Sequence, residues 1–547
     1  MRYFVVKSLF PLKTDKICGN PHNLCLNYIK LRSLLLHNKP KGVILYNMLT
    51  KFFPKLGDNL IVKYLKLGLE SKYSAIFITA LVLLSNVFSW ELPMMYALAG
   101  FVVLATLFCG DLLCLIPLAC SAYFTFSKVN NPLDTMHTSI FLQKSAQTHL
   151  MIIISMIATF VIGRFVFELL THKERRKFPL LSFGFIALGV SFLLGGLFSK
   201  YYDVDTVLFG LTEIAAMSFS YFFFYYTVDW SKVKKSYFAY LMLVMGFLLC
   251  GETIGMLYHG GFFSTVGEFN RVTLYTGWGV YNNVAGAMIM CIPAPFYYAT
   301  VKKKGHWFFL LIGNFFYLTI LFIQSRGGML FGTFVYVACV LLTIWKTKNK
   351  RTLLITELSV LLAVVITLIF YQDKIMDIFH SILQSGFNDS GRFKIYWDGF
   401  KQFLDNPIFG NGFYACQSLR WGDNSIGLFL PARYHNTVIQ LLASGGVVSL
   451  LAYGYHRFQT LRMIFKKRSV EKYFIGMCIL GLLLTSLLDC HFFNFGPGFT
   501  YSALLLFLEM DWLREEPKEN TSLAISAEET YEQPQIALSF EEIENSI

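Results

Sequence analysis

Runs of apolar residues follow one another along most of the chain, beginning near residue 74. Many of them approach the roughly 20 residues that an α-helix needs to cross a bilayer. We predict fourteen such segments, at about 74–91, 94–109, 111–126, 149–170, 179–198, 205–227, 237–258, 280–300, 307–323, 328–345, 352–371, 436–455, 474–489 and 498–511. Because the third and the last are short, the pattern predicts an all-α polytopic membrane protein with about 12–14 transmembrane helices.

The loops between these segments alternate between two compositions. One set is rich in Lys and Arg, and the loops between its members are poor in both. The cation-rich loops lie at about residues 172–177, 232–235, 302–304, 346–351 and 457–472. Cytoplasmic loops carry the excess of Lys and Arg in membrane proteins. The alternation therefore predicts that both termini are cytoplasmic and that the one long loop is extracytoplasmic.

Composition divides the chain into consecutive parts. These are a basic cytoplasmic segment (1–73), eleven spans (74–371), the long extracytoplasmic loop with short helices (372–435), the last spans (436–511) and an acidic, disordered cytoplasmic tail (512–547). In the first part, residues 59–70 have helical amphipathy with lysines on one side. This favours an interfacial helix attracted to anionic lipid, and a solvated basic tail is the alternative.

The overall composition supports the membrane interpretation. Of the 547 residues, 55% are hydrophobic and only 15% are charged, whereas soluble domains have about 25% charged residues. This excludes a largely disordered chain and argues against an ordinary soluble enzyme. The net charge is +13, and lysines in the predicted cytoplasmic loops, which set the orientation in the membrane, account for this positive charge. We therefore expect membrane lipids, and no nucleic acid, as partners.

Several classes of site have no support in the sequence. The eleven cysteines show no paired spacing and fall mostly in apolar runs, so we expect no disulfide framework and no metal site. The sequence has no phosphate-loop motif, no HExxH motif and no GxSxG motif. An ATP-driven pump and a membrane metalloprotease are therefore unsupported.

A cation in a predicted outer turn is the first candidate functional residue. Arg326 lies in the sequence Gln324-Ser325-Arg326-Gly327-Gly328, between two spans, where topology has no use for a positive charge. The glycines permit a sharp reversal and close approach of the backbone. Backbone N–H groups at a helix start and a guanidinium would together bind an anion. The alternative is an arginine that reaches the lipid headgroups.

The long loop offers a second cation. An apolar pattern predicts an amphipathic helix from about Arg392 to Phe403, and turn chemistry follows at Asn406-Pro407. Arg392 would lie in the first turn, where a cation is unfavourable for the helix dipole unless an anion joins it. A phosphate-type ligand explains this placement, and chance is the alternative.

His435 is the candidate general base. It directly precedes the twelfth predicted span, and the positive end of a helix disfavours the imidazolium form. A neutral imidazole is what a general base requires. The alternative is a bystander at the water–lipid boundary.

Other polar residues are candidates for the same cavity. These are Arg433, Asn436, Asn282, Asn283 and Arg271, although helix capping explains the Asn282–Asn283 pair equally well. Asp489 and His491, at the outer end of the thirteenth span, form either a coupled pair or simple boundary residues.

The order of these motifs resembles a known family. The motifs are Ser325-Arg326-Gly327, Gly391-Arg392, Tyr396-Trp397, Asn406-Pro407, Gly410-Asn411-Gly412 and His435-Asn436 followed by Gly446. This set, within about residues 265–510, resembles the O-antigen ligase and O-antigen polymerase superfamily of bacterial membrane glycosyltransferases. One departure is Ser449, where that superfamily usually has Gly or Thr.

The resemblance implies a GT-C-like fold in the bacterial cytoplasmic membrane, with an extracytoplasmic active site. It implies a donor glycan on undecaprenyl diphosphate and a glycan or lipid acceptor whose hydroxyl attacks the anomeric carbon with inversion. No cofactor, metal or nucleotide is implied. By this resemblance Arg326 and Arg392 bind the diphosphate, and His435 is the base that activates the acceptor.

Two alternatives stay open. A ligase transfers the glycan to a different kind of acceptor, whereas a polymerase transfers it to another lipid-linked repeat unit, and composition does not separate them. A flippase of lipid-linked sugars would need polar groups near the bilayer midplane. Glu252 and Asn314 are among the few there, which favours the enzyme.

Overall fold

The computed structural model describes most of the chain between residues 60 and 514. The described residues are 60–126, 144–171, 178–259, 275–372, 392–413, 420–423, 428–431 and 433–514, apart from 72, 89, 201, 203, 277–278, 303 and 371. The predictions for residues 1–59, for most of the long loop, for Arg271 and for the acidic tail lie outside these residues.

The described residues form seventeen α-helices. They are α1 (Leu60–Leu69), α2 (Ser74–Phe88), α3 (Glu91–Phe108), α4 (Leu115–Ser121), α5 (Lys144–Thr171), α6 (Ser182–Leu197), α7 (Val204–Thr227), α8 (Tyr237–His259), α9 (Tyr281–Cys291), α10 (Pro293–Val301), α11 (His306–Ile323), α12 (Arg326–Lys346), α13 (Lys350–Phe370), α14 (Arg392–Asp405), α15 (Thr437–Phe465), α16 (Val470–Thr485) and α17 (Phe495–Arg514). Short 3₁₀ helices follow α4 (Ala122–Phe126) and α16 (His491–Phe493).

Strands are confined to two short antiparallel ribbons in the described residues. In the first, β1 (Tyr275–Thr276) pairs with β2 (Gly279–Val280) directly before α9. In the second, β3 (Arg420–Asp423) pairs with β4 (Leu428–Pro431), with Arg420 opposite Pro431.

The prediction of an all-α polytopic membrane protein is confirmed. Each of the fourteen predicted segments contains a helix or a pair of helices. Among the described residues, seven helices are long and apolar enough to cross a membrane, or eight if the bent pair α1–α2 is one span. Other predicted segments form shorter apolar helices, such as α6.

The pair α9–α10 lies at the centre of the bundle, with 83% of its apolar stretch buried inside the protein. It packs against α8, α11, α12 and α16. Small residues permit this close packing: a Cβ atom on Gly481 of α16 would lie 2.9 Å from Ile289 of α9. This packing fixes the start of α9 beside the ends of α12 and α16, which are distant from it in the sequence.

Helix α15 is broken at Gly446, which has φ 62° and ψ −157°. This conformation is essentially restricted to glycine. At the break, the amides of Val447 and Val448 donate to the carbonyls of Pro407 (2.9 Å) and Ile408 (3.2 Å). The turn after α14 therefore supplies the acceptors that the helix loses, and it holds α14 against the first part of α15.

The predicted end of the twelfth apolar segment, at about residue 455, falls short of the end of the helix. Arg457, which we placed in a cytoplasmic loop, lies within α15 because the helix continues to Phe465. Its guanidinium contacts the rings of Tyr453, Phe492 and Tyr501 at 4.4–4.8 Å. These aromatic contacts explain how a cation is accommodated in the helix.

The midspan polar residues form local contacts between neighbouring helices. The side chain of Asn86 donates to Glu252 at 2.7 Å, and Asn314 accepts from Tyr336 at 2.7 Å. The hydroxyl oxygen of Tyr336 also lies 2.9 Å from a carboxylate oxygen of Glu357, so its one proton serves one of the two acceptors at a time. The contacts join α2 to α8 and α11 to α12 and α13.

Candidate active site

A pocket opens where the starts of α9, α12 and α14 meet the segment that follows α16. It is lined by Asn282, Gly286, Ser325, Gly327, Gly328, Phe331, Arg392, Thr485, Leu488, Asp489 and His491. The lining combines a guanidinium, a carboxylate, an imidazole and helix-start amides. It therefore has groups that bind anions and groups that move protons.

The turn before α12 forms one wall of the pocket. Ser325 caps the helix, because its hydroxyl accepts a hydrogen bond from the Gly328 amide at 3.1 Å and donates one to Asn282 at 2.7 Å. A Cβ atom on Gly327 would lie 2.3 Å from the side chain of Leu488. The glycines are thus explained by close packing, and the turn is tied to the start of α9.

The two candidate arginines differ in position. Arg392 is the first residue of α14, and its half-buried side chain lines the pocket. Arg326 is the first residue of α12, is also half-buried, and is not among the residues that line this pocket. The fold therefore brings Arg392 to the pocket wall and leaves Arg326 beside the turn that forms that wall.

His435 lies beside the pocket and contacts one of its lining residues. Its Nδ1 atom is 3.2 Å from Oδ1 of Asp489. The backbone of His435 is left-handed, with φ 52°, and its carbonyl accepts a hydrogen bond from the hydroxyl of Tyr396 at 3.3 Å. This conformation turns the chain from the long loop into α15 and leaves the imidazole partly exposed.

Asp489 is held in its ionised form. Burial by itself raises the pKa of its carboxyl, but the hydrogen bond with His435 and the backbone amide of Cys490 (2.8 Å) lower it well below its usual range. An ionised carboxylate only accepts hydrogen bonds. A neutral His435 consequently carries its proton on Nδ1 and leaves Nε2 as an acceptor.

Asn436 and Arg433, two other candidates, have structural contacts. The Asn436 side chain caps α15 by accepting from the amides of Val438 and Ile439, and it donates to the Leu487 carbonyl at 2.9 Å. The guanidinium of Arg433 donates to both carboxylate oxygens of Glu213, at 2.8 and 2.9 Å. Both side chains thus hold in place the segment that leads into α15.

Asn282 lines the pocket through its contact with Ser325, whereas Asn283 is half-buried in the same turn of α9 and is not part of the lining. Sequence patterns assign Asp489 and His491 no definite role, but both residues line the pocket. The sequence signal that could have identified them is their position two residues apart at the end of an apolar segment.

Among the described residues, no group of three or more His, Cys, Asp or Glu side chains could hold a metal ion.

Residues 308–454 match the model of a protein family described as O-antigen ligase. The matched stretch includes Arg326, Arg392 and His435, whereas Asp489 and His491 follow it. The match confirms the resemblance to this superfamily and, with the apolar helices, supports a multi-pass membrane glycosyltransferase of the ligase or polymerase type. A comparison with curated proteins gave no match.

Proposed function

Because residues 308–454 match the O-antigen ligase family, we propose that the chain transfers a glycan from undecaprenyl diphosphate to an acceptor hydroxyl. The reaction takes place at the outer face of the bacterial cytoplasmic membrane, and both termini are cytoplasmic. The observation that carries the proposal is the contact of His435 with Asp489 beside a pocket that also contains Arg392.

His435 acts as the general base in this proposal. Its Nε2 atom accepts the proton of the acceptor hydroxyl while the oxygen attacks the anomeric carbon from the face opposite the diphosphate, so the configuration is inverted. The Asp489 carboxylate, 3.2 Å from Nδ1, orients the ring and stabilises the imidazolium that forms. The proton stays on His435 until the products leave.

The leaving group is a diphosphate, and the proposal assigns its charge to protein cations and amides. Arg392 lines the same pocket as Gly327, in the first turn of α12, and the proposal uses the Gly327 amide because the Gly328 amide is bonded to Ser325. Helix-start amides and guanidinium groups both favour phosphate oxygens. Arg326, beside this turn, is proposed as the second diphosphate ligand. The proposed reaction requires no cofactor.

The decisive experiment is a transfer assay with purified full-length protein and a lipid-linked oligosaccharide donor, in the presence of a chelator. Each reaction contains one acceptor, either a second lipid-linked repeat unit or a lipid core. We expect glycan transfer by the wild-type protein and its loss in His435→Ala. Transfer to the repeat unit would identify a polymerase, and transfer to the core a ligase. Transbilayer movement of the donor without transfer would contradict the proposal.

A further inference from the structure

His491 contributes an imidazole to the pocket lining, and the proposed reaction leaves it without a role. It lies in the 3₁₀ helix His491–Phe493 between α16 and α17, and its side chain is buried. A Cβ atom on Gly286 would lie 2.8 Å from Nε2 of His491. Because Gly286 also lines the pocket, the Nε2 edge of the ring faces the pocket wall formed by α9.

A chain of hydrogen bonds orients the side chain next to this ring. The guanidinium of Arg433, held by Glu213 of α7, also donates to the side-chain oxygen of Asn494. A guanidinium has only donors. The Asn494 oxygen therefore faces Arg433, and its amide nitrogen faces the other way.

The amide nitrogen of Asn494 lies 3.4 Å from Nδ1 of His491. An amide nitrogen only donates, so Nδ1 must accept, and the proton of a neutral imidazole then lies on Nε2. Burial lowers the pKa of His491, and Arg433 and Arg392 lower it further, although Asp489 opposes them. The ring is thus neutral and carries its proton on Nε2, the edge that lies beside Gly286 in the pocket lining.

We propose that His491 is a neutral hydrogen-bond donor that binds a phosphoryl oxygen of the lipid-linked donor through Nε2–H. Glu213, Arg433 and Asn494 are positioning residues that hold it in this tautomer. The inference rests on the proposed function. Phosphoryl oxygens are the fitting ligand because Arg392, in the same pocket, also has only donors.

A neutral donor has a specific advantage at this position. A charged imidazolium at either His435 or His491 would interact with the Asp489 carboxylate. A charged His491 would compete for that carboxylate and disfavour protonation of His435 during transfer. The Nε2–H group contributes a hydrogen bond to the diphosphate without adding a second imidazolium.

The test is binding of undecaprenyl diphosphate to purified full-length protein. In His491→Gln the side-chain amide nitrogen can take the place of Nε2, whereas in His491→Asn it can reach only the place of Nδ1. We expect His491→Asn to bind roughly tenfold or more weakly than wild type, the loss of one hydrogen bond to a charged acceptor. His491→Gln should bind at least about fivefold more tightly than His491→Asn.

The outcomes separate this inference from the function on which it rests. If the wild-type protein does not bind undecaprenyl diphosphate, the proposed function fails. If the wild-type protein binds it and the Gln and Asn variants bind equally, only the role of His491 fails.

A second experiment measures the tautomer of His491 directly. Solid-state ¹⁵N NMR of histidine-labelled protein, with the His491→Gln spectrum subtracted, should show a protonated Nε2 and an unprotonated Nδ1 at His491. Asn494→Leu should abolish this preference and weaken lipid binding, whereas Arg433→Lys, which keeps a donor, should weaken binding less. A wild-type ring protonated on Nδ1 would overturn the inference.

Discussion

Nδ1 of His435 lies 3.2 Å from Oδ1 of Asp489, although the two residues are 54 positions apart in the sequence. His435 precedes α15 and Asp489 follows α16, so the contact joins the two ends of a helical hairpin. The hairpin ends are also joined through the backbone, because the Thr437 amide donates to the Ser486 carbonyl at 2.9 Å. This double connection gives the imidazole a defined orientation beside the pocket.

His435→Ala should reduce transfer by about 10² to 10⁴-fold, the usual contribution of a general base, while donor binding stays near normal. His435→Gln should be similarly inactive, because an amide cannot accept the proton. Asp489→Asn should cost about 10²-fold, since an amide does not enforce the proton on Nδ1. Rates at saturating donor measure these effects. Near-normal transfer by His435→Gln would leave His435 only a positioning role.

Arg326→Lys and Arg392→Lys should each lower transfer about ten- to a hundredfold, because a point charge replaces a bidentate fork. The loss should be the same with every acceptor, since the proposed function assigns these residues to the donor. Lys394→Ala is the matched control, because this cation lies two residues after Arg392 on the exposed side of α14. Full activity in both Lys variants, at normal protein levels, would exclude the diphosphate role.

The proposed topology is tested by labelling engineered cysteines in intact cells. Every cysteine in the described part of the chain is buried, and the native Cys416, which lies in the proposed outer loop, is replaced by Ser in the parent protein. A Cys at the exposed position Lys401 of α14 should react with an impermeant reagent from outside. A Cys at Lys304, between α10 and α11, should react only after permeabilisation. The reverse pattern would invert the topology and exclude an extracytoplasmic site.

Gly446→Ala should destabilise the protein by at least about 1–3 kcal/mol, because alanine disfavours this backbone conformation. The added Cβ would also lie 2.3 Å from the carbonyl oxygen of Ile408. Gly454→Ala, in the same helix, is the control, since a Cβ there has nothing within 4 Å. Thermal unfolding in detergent measures both variants. Equal melting temperatures would show that the break in α15 does not require glycine.

Acidification should destabilise the protein in part through His491. Its folded pKa lies below the ordinary histidine value of about 6.5, so the unfolded chain binds more protons as the pH falls through that value. The depressed pKa of Asp489 acts in the same direction at lower pH, below the ordinary carboxyl range. The melting temperature should fall between about pH 7.5 and pH 5.5, and it should fall less in His491→Gln. An equal fall in both proteins would contradict a buried neutral His491.

Local pattern predicted much of the fold. The apolar runs identified the helices because a chain in lipid must satisfy its backbone hydrogen bonds internally, which long apolar helices do. The predicted starts at about residues 328 and 436 lie close to Ser325 and Asn436, whose side chains cap α12 and α15. The sequence pattern underestimates the length of α15, because it places Arg457 in a loop. In the structure Arg457 lies within the helix, where three aromatic rings contact its guanidinium.

The sequence by itself determined an all-α membrane protein, the positions of its helices and the residue types from which a site could be built. Only the tertiary structure decided that Asp489 contacts His435 and that Arg433 pairs with Glu213, 220 positions away. The reason is physical: a helix period and a capping residue depend on neighbours within a few positions. The partner of an arginine or an imidazole depends on which helix ends packing brings together, and small residues such as Gly286 and Gly327 set those distances.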